Sequence, residues 1–572
     1  MARRKKRKKK KSRLERIKRD SNYLRGNIHE ELKNGEDKFS RKAIEVLKFH
    51  GTYQQDDRDS RKGRDRHYMF MIRTRLPGGG LTGDQYLELD NIADDYANNT
   101  MRITTRQTIQ FHGVIKNELK NTLRAINDSL VTTLGACGDI VRNVMCNPAP
   151  KADGRHQKIQ KFTDELSAYL LPETNAYHEL WLDGNKVFSN NEEITDKEPL
   201  YGREYLPRKF KIGIAIPGDN SIDLYTQDIG LVALFDDENN ITGYNVIVGG
   251  GMGMHHKKPE TFPRLGDHLG YVHKDQLMDV IDGIIGIQRD HGNRKNRKQA
   301  RMKYLIHEWG LDKFQSELEN RIGFELEPFK EMPDFKLDLY LGWHKQPDGR
   351  WFRGITVENG RIKDTQEVQL KTGLRDVIEK YQPGVRLSAN QDILLTDIEP
   401  EQKEALEKDL SEYGIAQFDD KSGIIKYSMA CPALPTCGLA ITESERALPD
   451  VIRELESVIQ DIGLDDDVLT VRMTGCPNGC SRPYVADIGF VGRSLNKYSI
   501  FIGGDASGTR LNTKVKDIVE LEDLVDAVRP LLVRYKNERR NGESFGDYWS
   551  KRETDEAAAL IEQSLEKVEA GG

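Results

Sequence analysis

The chain has 572 residues, of which 31% are charged and 37% hydrophobic, and this length predicts three or four domains at roughly 100–200 residues each. The mean hydropathy is -0.67, and no apolar run approaches the ~20 residues that a membrane helix needs, so we expect no membrane span. The basic N-terminus lacks the apolar stretch of a secretory signal, and six cysteines are too few for a disulfide scaffold, so we expect a cytoplasmic protein.

The net charge of -5 conceals a strong asymmetry. Residues 1–20 carry 13 lysines and arginines against Glu15 and Asp20, a net of +11, so the remaining chain carries -16. Such a block repels itself and buries little, which predicts a disordered basic tail over residues 1–20. Binding of residues 1–13 to nucleic acid or another anionic surface is one interpretation, and a solvated terminal arm is the other.

From residue 14 onward, helix-like and strand-like segments alternate along the chain. The first of them are an amphipathic helix at 14–32, a polar loop at 53–62, a strand at 68–75, a turn at 77–80, a helix near 85–97 and a strand at 101–114. The alternation continues beyond them, which is typical of α/β or α+β layering.

The sequence also contains a weak internal repeat. Three segments of the first half reappear in the same order in the second: 102–109 as 386–393, 145–150 as 430–435, and 244–251 as 498–505. Any one match could be chance, but three in one order predict two halves that began as one structural unit. Cys146 of the first half has no near partner, whereas its counterpart Cys431 begins a set of four cysteines.

These four cysteines form two close pairs, Cys431-x5-Cys437 and Cys476-x3-Cys480, in the Gly- and Pro-containing stretches ACPALPTCG and TGCPNGCSRP. Such stretches favour tight loops, and two adjacent loops can present four thiolates to one centre. Four thiolates suit a 4Fe-4S cluster. A zinc site, for which C-x2-C spacing is more usual, and structural or redox thiols remain alternatives.

A second unusual feature is a run of alternating polar and basic side chains in the predicted strand at 101–114. Alternate residues of a strand share one face, and here they are Arg102, Thr104, Arg106, Thr108, Gln110 and His112. Lys209 and Lys211 alternate in the same way, as do Arg73 and Arg75. A face with several cations and no acidic residue indicates a polyanionic ligand. Nucleic acid is one candidate, and a cofactor with many carboxylates, serving a small anionic substrate, is the other.

Together, these motifs resemble those of the siroheme-containing assimilatory sulfite reductases. The resemblance rests on the two cysteine pairs, on RITTRQTIQFH at 102–112 and on LPRKFK at 206–211, and it covers about residues 20–550. It implies an α+β fold in which two pseudo-symmetric sheet-and-helix halves form three domains around a central siroheme and 4Fe-4S site. The carboxylates of siroheme would account for the basic side chains at 102–112.

The resemblance also implies domain boundaries. After the tail at 1–20 come an N-terminal arm with the first ferredoxin-like half-repeat at 21–134, a siroheme- and substrate-binding domain at 135–335, a second half-repeat at 336–420, and a 4Fe-4S and siroheme-binding domain at 421–572.

Individual residues acquire roles from the same resemblance. Four cysteines would ligate the cluster, with the last of them also bridging to the siroheme iron: Cys431, Cys437, Cys476 and Cys480. Four cations would bind sulfite, neutralise it and deliver protons: Arg73, Arg142, Lys209 and Lys211. Nine more residues match positions near the siroheme: Arg102, Thr104, Arg106, Gln110, His112, Arg301, Lys303, Asn478 and Arg482.

The function that the resemblance implies is the six-electron reduction of sulfite to sulfide. Related nitrite reductases tend to carry Asn at the position of Lys211, so this lysine favours sulfite. The stretches 134–139, 342–344 and 430–437 are more similar to the ferredoxin-dependent type, so ferredoxin is the expected electron donor. The alternatives are the hemoprotein subunit of an NADPH-dependent enzyme with a separate flavoprotein, a ferredoxin-nitrite reductase, and a nucleic-acid-binding protein with a structural metal site.

Overall fold

The computed structural model describes residues 12–61, 63, 65–174, 176, 198–415 and 422–571. Within these ranges the chain forms four five-stranded sheets flanked by helices, which confirms the predicted α+β class. None of the described helices is both long enough and apolar enough to span a membrane.

The strands are, in chain order, β1 (Thr52–Asp56), β2 (Tyr68–Arg73), β3 (Gly80–Leu81), β4 (Met101–Ile103), β5 (Ile109–Val114), β6 (Met145–Cys146), β7 (Ile212–Ala215), β8 (Ile229–Phe235), β9 (Ile241–Val248), β10 (Asp267–His273), β11 (Gly342–Lys345), β12 (Trp351–Ile355), β13 (Arg361–Ile362), β14 (Gly384–Leu387), β15 (Ile393–Ile398), β16 (Ser428–Ala430), β17 (Val471–Thr474), β18 (Ile488–Ser494), β19 (Lys497–Ile502) and β20 (Thr513–Glu520).

The α-helices are α1 (Arg13–Arg19), α2 (Ile28–Leu32), α3 (Arg41–Leu47), α4 (Gly83–Tyr96), α5 (Leu119–Asp128), α6 (Arg155–Tyr169), α7 (Leu277–His291), α8 (Met302–Trp309), α9 (Leu311–Ile322), α10 (Leu370–Tyr381), α11 (Lys403–Glu412), α12 (Gly423–Lys426), α13 (Leu448–Ile462), α14 (Leu524–Glu538), α15 (Phe545–Ser550) and α16 (Thr554–Gly571).

Two of the sheets are built from the same plan and exchange a strand. One has the order β1-β2-β5-β4-β13 and the other β11-β12-β15-β14-β3. Each half of the chain therefore lends its third strand to the sheet of the other half, with Arg361 of β13 opposite Arg102 of β4 and Gly80 of β3 opposite Arg386 of β14. This exchange ties the halves together at the position of the first predicted repeat.

The other two sheets repeat a second plan, β10-β9-β8-β7-β6 in the first half and β16-β17-β18-β19-β20 in the second. In each sheet the three strands that come first in the chain are parallel and the last two are antiparallel. The matched segments at 145–150 and 430–435 begin in β6 and at the end of β16, and those at 244–251 and 498–505 cover β9 and β19. The internal repeat is thus present in the fold, while the domain boundaries remain a prediction.

Two hydrophobic cores hold these layers. The larger runs from Leu24 to Ile415 and joins both strand-exchanged sheets to the first mixed sheet, and the other runs from Ile424 to Ile561 within the second mixed sheet and its helices. A small cluster in which Met252 packs with Tyr484 connects the halves.

The predicted strand at 101–114 is in fact two strands. β4 and β5 form a hairpin in which Arg102 lies opposite Gln110, and the turn between them places Gln107 at φ 55°. The backbone N–H groups of Arg106 and Thr108 lie 3.2 and 3.3 Å from the Thr104 hydroxyl, which accepts from both and stabilises the turn. The prediction that these side chains share one strand face is therefore wrong. The turn was not predicted because a threonine stabilises it, with no glycine or proline in the sequence to indicate it.

Other sequence expectations also differ from the structure. Residues 13–19, placed in the disordered tail, form α1, while residues 1–11 lie outside the described part. The expected helix at 14–32 is interrupted between α1 and α2 by three consecutive residues at positive φ, Asn22, Tyr23 and Leu24. The expected loop at 53–62 begins as β1. Lys209 and Lys211 precede β7, and between them Phe210 forms an isolated bridge to Val141.

Candidate cofactor and anion site

The two cysteine loops begin at the same edge of a sheet. β16 and β17 are parallel, with Ala430 opposite Met473, so the chain leaves both strands in the same direction just before Cys431 and Cys476. The Cys431 N–H lies 3.3 Å from the Met473 carbonyl and 3.2 Å from the Ser444 hydroxyl. Ser444 in turn donates to that carbonyl at 2.8 Å. The fold therefore brings together the two pairs that the sequence separates.

The sulfur environment suits an iron–sulfur cluster. The backbone N–H of Gly475 donates to Cys431 Sγ at 3.4 Å, and the Asn478 amide donates to Cys476 Sγ at 3.3 Å. Donors of this kind tune the potential of a cluster. Asn478, expected near the siroheme, thus contacts a predicted cluster ligand.

The electrostatics around the thiols also fits a cationic centre. Burial, together with the neighbouring Cys480, raises the pKa of Cys431, of Cys437 and of Cys476, the last to about 12. Four thiolates here would repel each other, and a bound metal centre reverses that cost because it deprotonates its thiol ligands. Among the described residues, no three His, Cys, Asp or Glu side chains are grouped tightly enough for a single metal ion, whereas a cubane spreads its ligands over four irons.

Cys480 differs from the other three because its residue is exposed. The hairpin turn between β4 and β5 rests on its loop: the Thr105 hydroxyl donates to the Cys480 carbonyl at 3.0 Å, and Arg482 Nη1 donates to the Thr105 carbonyl at 3.0 Å. The predicted basic segment and the bridging cysteine are therefore neighbours, although 375 residues separate Thr105 from Cys480 in the chain.

Lys209, which belongs to a group of neighbouring cations, lies within electrostatic reach of Cys480. Burial lowers the pKa of Lys209 to about 7, the Cys480 thiolate opposes this shift, and the Arg142 guanidinium adds to it. Burial, with Arg106 and Lys209, lowers the pKa of Lys211 still more strongly. Both lysines are only half-buried, and no carboxylate of the described ranges forms an ion pair with either ammonium group. Crowded cations that form no ion pair are costly to bury, so this region fits an anionic ligand.

The two predicted substrate arginines are oriented by neighbouring protein groups, and Arg142 also interacts with the Tyr53 side chain. Arg142 donates through Nε and Nη2 to the Gly138 carbonyl at 3.1 and 3.0 Å. Arg73, at the end of β2, donates from Nε to the side-chain oxygen of Gln110 at 3.0 Å when that amide is oriented with its oxygen toward the guanidinium. Arg73 Nη2 contacts the same oxygen, so Gln110 fixes Arg73 through two donors and leaves Nη1 available for a ligand.

Arg301 and Lys303 support the glycine-rich turn at 249–253. Arg301 forms a two-point ion pair with Asp228 at 3.1 and 2.8 Å, and Asp228 also accepts from the Lys211 N–H at 2.9 Å. Lys303 donates to the carbonyls of Gly251 and Gly253 at 2.9 and 2.8 Å, and burial lowers its pKa to about 6. The turn is thereby fixed beside the lysine pair.

Arg102 and His112 belong to an ionic cluster that the sequence did not indicate. Glu445 accepts from Arg102 Nε at 2.8 Å and from Arg361 Nε at 2.7 Å. Burial alone would raise the pKa of Glu445, but the two arginines outweigh it and lower the pKa to about 2. His112 lies 3.4 Å from Arg361 Nη1, and burial together with that arginine lowers the His112 pKa, so its imidazole is neutral. The cluster links the hairpin, β13 and the first cysteine loop.

Arg106 is buried at the junction of several segments. Its Nη1 donates to Gln227 Oε1 at 2.8 Å, its Nη2 contacts the carbonyls of Asn143 and Ile212, and its Nε has no hydrogen-bond partner in the described structure. A buried unpaired donor of this kind is uncommon and can serve an anionic group.

Arg482 pairs with the first half of the chain. Its Nε contacts Asp223 Oδ2, which also accepts from Arg472 Nη1 at 2.8 Å, and all three side chains are buried.

The structure therefore brings together most of the residues predicted at the site. Asp223, Asp228, Arg361 and Glu445 were missed because an isolated acidic or basic residue carries no spacing signal.

Comparison with known proteins places the chain in a family. The family model described as nitrite and sulphite reductase 4Fe-4S domain matches residues 164–326 and 429–568, and the model described as nitrite/sulfite reductase ferredoxin-like half domain matches 61–129 and 344–413. The chain belongs to the nitrite and sulfite reductase family. Each model matches once in each half, in agreement with the repeat, and the resemblance inferred from the motifs is confirmed.

Several relatives are similar over nearly the whole chain. A Staphylococcus haemolyticus protein named sulfite reductase (NADPH) hemoprotein beta-component is 47% identical over 544 residues, 94% of each chain. A Synechococcus elongatus protein named sulfite reductase (ferredoxin) is 45% identical over 553 residues, 94% of this chain and 89% of that one. The structure of Mycobacterium tuberculosis NirA protein has a TM-score of 0.76 at 22% identity, covering 95% of this chain and 96% of that one, and supports the fold. These comparisons give no support to nucleic-acid binding by residues 1–13.

Proposed function

We propose that the chain is an assimilatory sulfite reductase, which reduces sulfite to sulfide with six electrons. The observation that carries the proposal is the lysine pair Lys209 and Lys211, which forms no ion pair in the described structure and of which Lys209 lies within electrostatic reach of Cys480, in a chain of the nitrite and sulfite reductase family. Siroheme and a 4Fe-4S cluster are the cofactors that this family and the names of the relatives imply.

The residues would divide the work as follows. When bound, the siroheme and the cluster would supply electrons to sulfite, and the chain would supply binding, orientation and protons. Cys431, Cys437 and Cys476 would hold the cluster, and Cys480 would join it to the siroheme iron. The hairpin and its neighbours, with the donors of Arg106, Arg301, Lys303 and Arg482 among them, would frame the carboxylates of the siroheme.

The cations would act on the substrate. Arg73, Arg142, Lys209 and Lys211 would neutralise sulfite and fix its oxygens, which lowers the cost of adding electrons to an anion. The oxygens of sulfite leave as water, so protons are needed where they depart. Because burial lowers the pKa of Lys209 to about 7, its ammonium group can release a proton near neutral pH, as a general acid must.

Ferredoxin is the donor that we propose, on the basis of the three stretches that resemble the ferredoxin-dependent type. The identities of 47% and 45% to relatives named for NADPH and for ferredoxin do not separate the two donors. Electrons would enter near Cys437, since the following Gly438 faces open space and Leu439 is 70% exposed. Faster reduction by a flavoprotein with NADPH than by reduced ferredoxin would contradict this choice.

We also infer a cytoplasmic location, in which the six free cysteines stay reduced.

Turnover tests the proposal. With a reduced dye as donor, the purified enzyme is expected to consume six reducing equivalents for each sulfide formed from sulfite. The specificity constant kcat/KM is expected to be higher for sulfite than for nitrite. A strong preference for nitrite would contradict the proposed substrate, sulfite, although the chain would still belong to the nitrite and sulfite reductase family.

A further inference from the structure

Two basic segments of the sequence, which the proposed function leaves without a role, meet in the structure. One is α1, which contributes the buried Glu15 and Lys18, and the other is the run at 294–298. Lys18 Nζ lies 2.7 Å from Glu15 Oε1, and Arg294 Nη1 contacts Glu15 Oε2. Arg294 Nη2 also donates to the Tyr205 carbonyl at 2.6 Å. The start of the described chain is therefore anchored by charge in the protein interior.

Asp139 connects this contact to the segment that carries Arg142. Arg297 donates to both of its carboxylate oxygens, at 2.7 and 2.9 Å, and Lys18 Nζ lies 3.4 Å from Oδ2. Asp139 is 3% exposed. Burial alone would raise the pKa of this carboxyl, but Lys18 and Arg297 outweigh it and hold the pKa far below its usual range.

Backbone hydrogen bonds connect the segment that contains Asp139 to the segment that contains the lysine pair. The Leu206 N–H donates to the Asp139 carbonyl at 2.9 Å, the Phe210 N–H to the Ile140 carbonyl at 3.0 Å, and the Arg142 N–H to the Phe210 carbonyl at 2.9 Å. Lys18 Nζ also donates to the Leu206 carbonyl at 2.7 Å. Segments 138–142 and 206–210 thus run side by side, with Lys18 at the end where they begin.

The guanidinium of Arg142 is oriented by the same segment. Both of its contacts to Gly138 go to the carbonyl that immediately precedes Asp139. Gly138 has φ 92°, and a Cβ there would come within 2.8 Å of Phe49, so this carbonyl occupies a position that few other residues could supply. Any shift of Asp139 would therefore move the group that orients Arg142.

We propose that Glu15, Lys18, Asp139, Arg294 and Arg297 form an ionic clamp that positions Arg142 for the anionic substrate. The proposal rests on the proposed function, since contact of Arg142 with sulfite is part of that function. The clamp residues are positioning residues, because none of them would touch the substrate. α1 thereby has a role in the site, although it lies where the predicted basic tail at 1–20 overlaps the predicted helix at 14–32.

Substitution of Lys18 tests the clamp. Loss of about one charge-assisted hydrogen bond from a misplaced Arg142 weakens sulfite binding about tenfold, so for Lys18→Met we expect about a tenfold rise in KM for sulfite with kcat within about twofold. The dissociation constant of sulfite, read from the shift of the visible absorption bands, should rise in parallel at unchanged siroheme and iron content. Amide hydrogen exchange should become faster at 138–142. Lys18→Arg should restore the affinity, and Arg16→Met, on the exposed face of α1, is the matched control.

The Arg142→Ala background separates the clamp from the proposed function. If the clamp acts through Arg142, Lys18→Met should have no further effect on KM in that background. Unchanged sulfite affinity in folded Lys18→Met, or an undiminished effect in the Arg142→Ala background, would overturn the clamp alone. Unchanged sulfite affinity in Arg142→Ala itself would remove Arg142 from the sulfite site and overturn the clamp with it, whereas absence of sulfite turnover by the unsubstituted enzyme would overturn the proposed function. Should Lys18→Met fail to fold, Arg297→Gln carries the same expectations, because Arg297 is partly exposed.

Discussion

Asp223 and Arg482 occupy equivalent positions in the two halves of the chain, and their side chains form an ion pair with each other. Each immediately precedes a short 3-10 turn, Leu224–Thr226 or Pro483–Val485, and each has a left-handed backbone conformation. Each turn lies between the second and third strands of its sheet. The repeat has therefore diverged into opposite charges that hold the two halves together, two residues from Cys480.

Loss of the carboxylate at this pair should destabilise the protein. Asp223→Asn leaves Arg472 and Arg482 buried without their counter-ion, and removal of one partner of a buried pair typically costs about 3 kcal/mol or more. We expect a loss of this order in the free energy of unfolding measured in urea. Asp128→Asn, which removes the exposed partner of Arg124, should cost less than about 1 kcal/mol. Equal losses for the two variants would contradict the structural role of the pair.

Cys480→Ser should separate the two metal centres. Serine offers no thiolate to join them, so electronic coupling in the EPR spectrum should disappear and sulfite turnover should fall by at least about 100-fold, the scale on which loss of one essential site group acts. Cys146→Ser is the control, since Cys146 is buried away from the other cysteines beside Gln160 and its loss should leave the spectrum unchanged. Retained coupling in Cys480→Ser would show that another residue forms the bridge.

Lys211→Ala should retain both cofactors and impair the reaction. Because the ammonium group acts on charge that develops in sulfite, we expect kcat/KM for sulfite to fall by about 100-fold at unchanged siroheme and iron content. Lys274→Ala removes an exposed lysine and should have no effect. Normal sulfite turnover by Lys211→Ala would remove this residue from the site.

The pH dependence of the cofactor-free chain reports on Lys209. Its pKa is about 7 in the folded chain, against 10.5 for an ordinary lysine, so between these values the unfolded chain holds a proton that the folded chain lacks. The buried Lys209 therefore costs stability, and this cost grows as the pH falls from 10.5 toward 7 and disappears above 10.5. Lys209→Met, which never carries the charge, should stabilise the cofactor-free chain more at pH 7 than at pH 9 in urea unfolding. An equal effect at both pH values would mean that the folded pKa is not depressed.

The sequence predicted the features that depend on local pattern or on repetition. The spacing of Cys431, Cys437, Cys476 and Cys480 identified both loops, and the three repeated segments indicated two equivalent halves. The hairpin at 101–114 was missed because Thr104 stabilises its turn without glycine or proline. Burial of Lys18 was missed because a basic run predicts solvation, and only the folded chain supplies Glu15 and Asp139 as partners.

Long-range ion pairs could not be read from the sequence at all. Arg102 and Glu445 are 343 residues apart, and neither stands in a spacing that would connect them. Their contact depends on the strand exchange that brings β13 beside β4, and that exchange is formed by strands of two residues each. Segments so short carry no periodicity that a sequence could reveal. The residues that surround the site therefore depend on the strand exchange, which only the folded chain shows.

The absorption spectrum of the purified protein, recorded before and after addition of sulfite, tests the central claim most directly. We expect chlorin-like visible bands that shift when sulfite binds, together with iron and acid-labile sulfide in the amounts of one siroheme and one 4Fe-4S cluster per chain. A colourless protein that contains zinc at the four cysteines would contradict the proposed function.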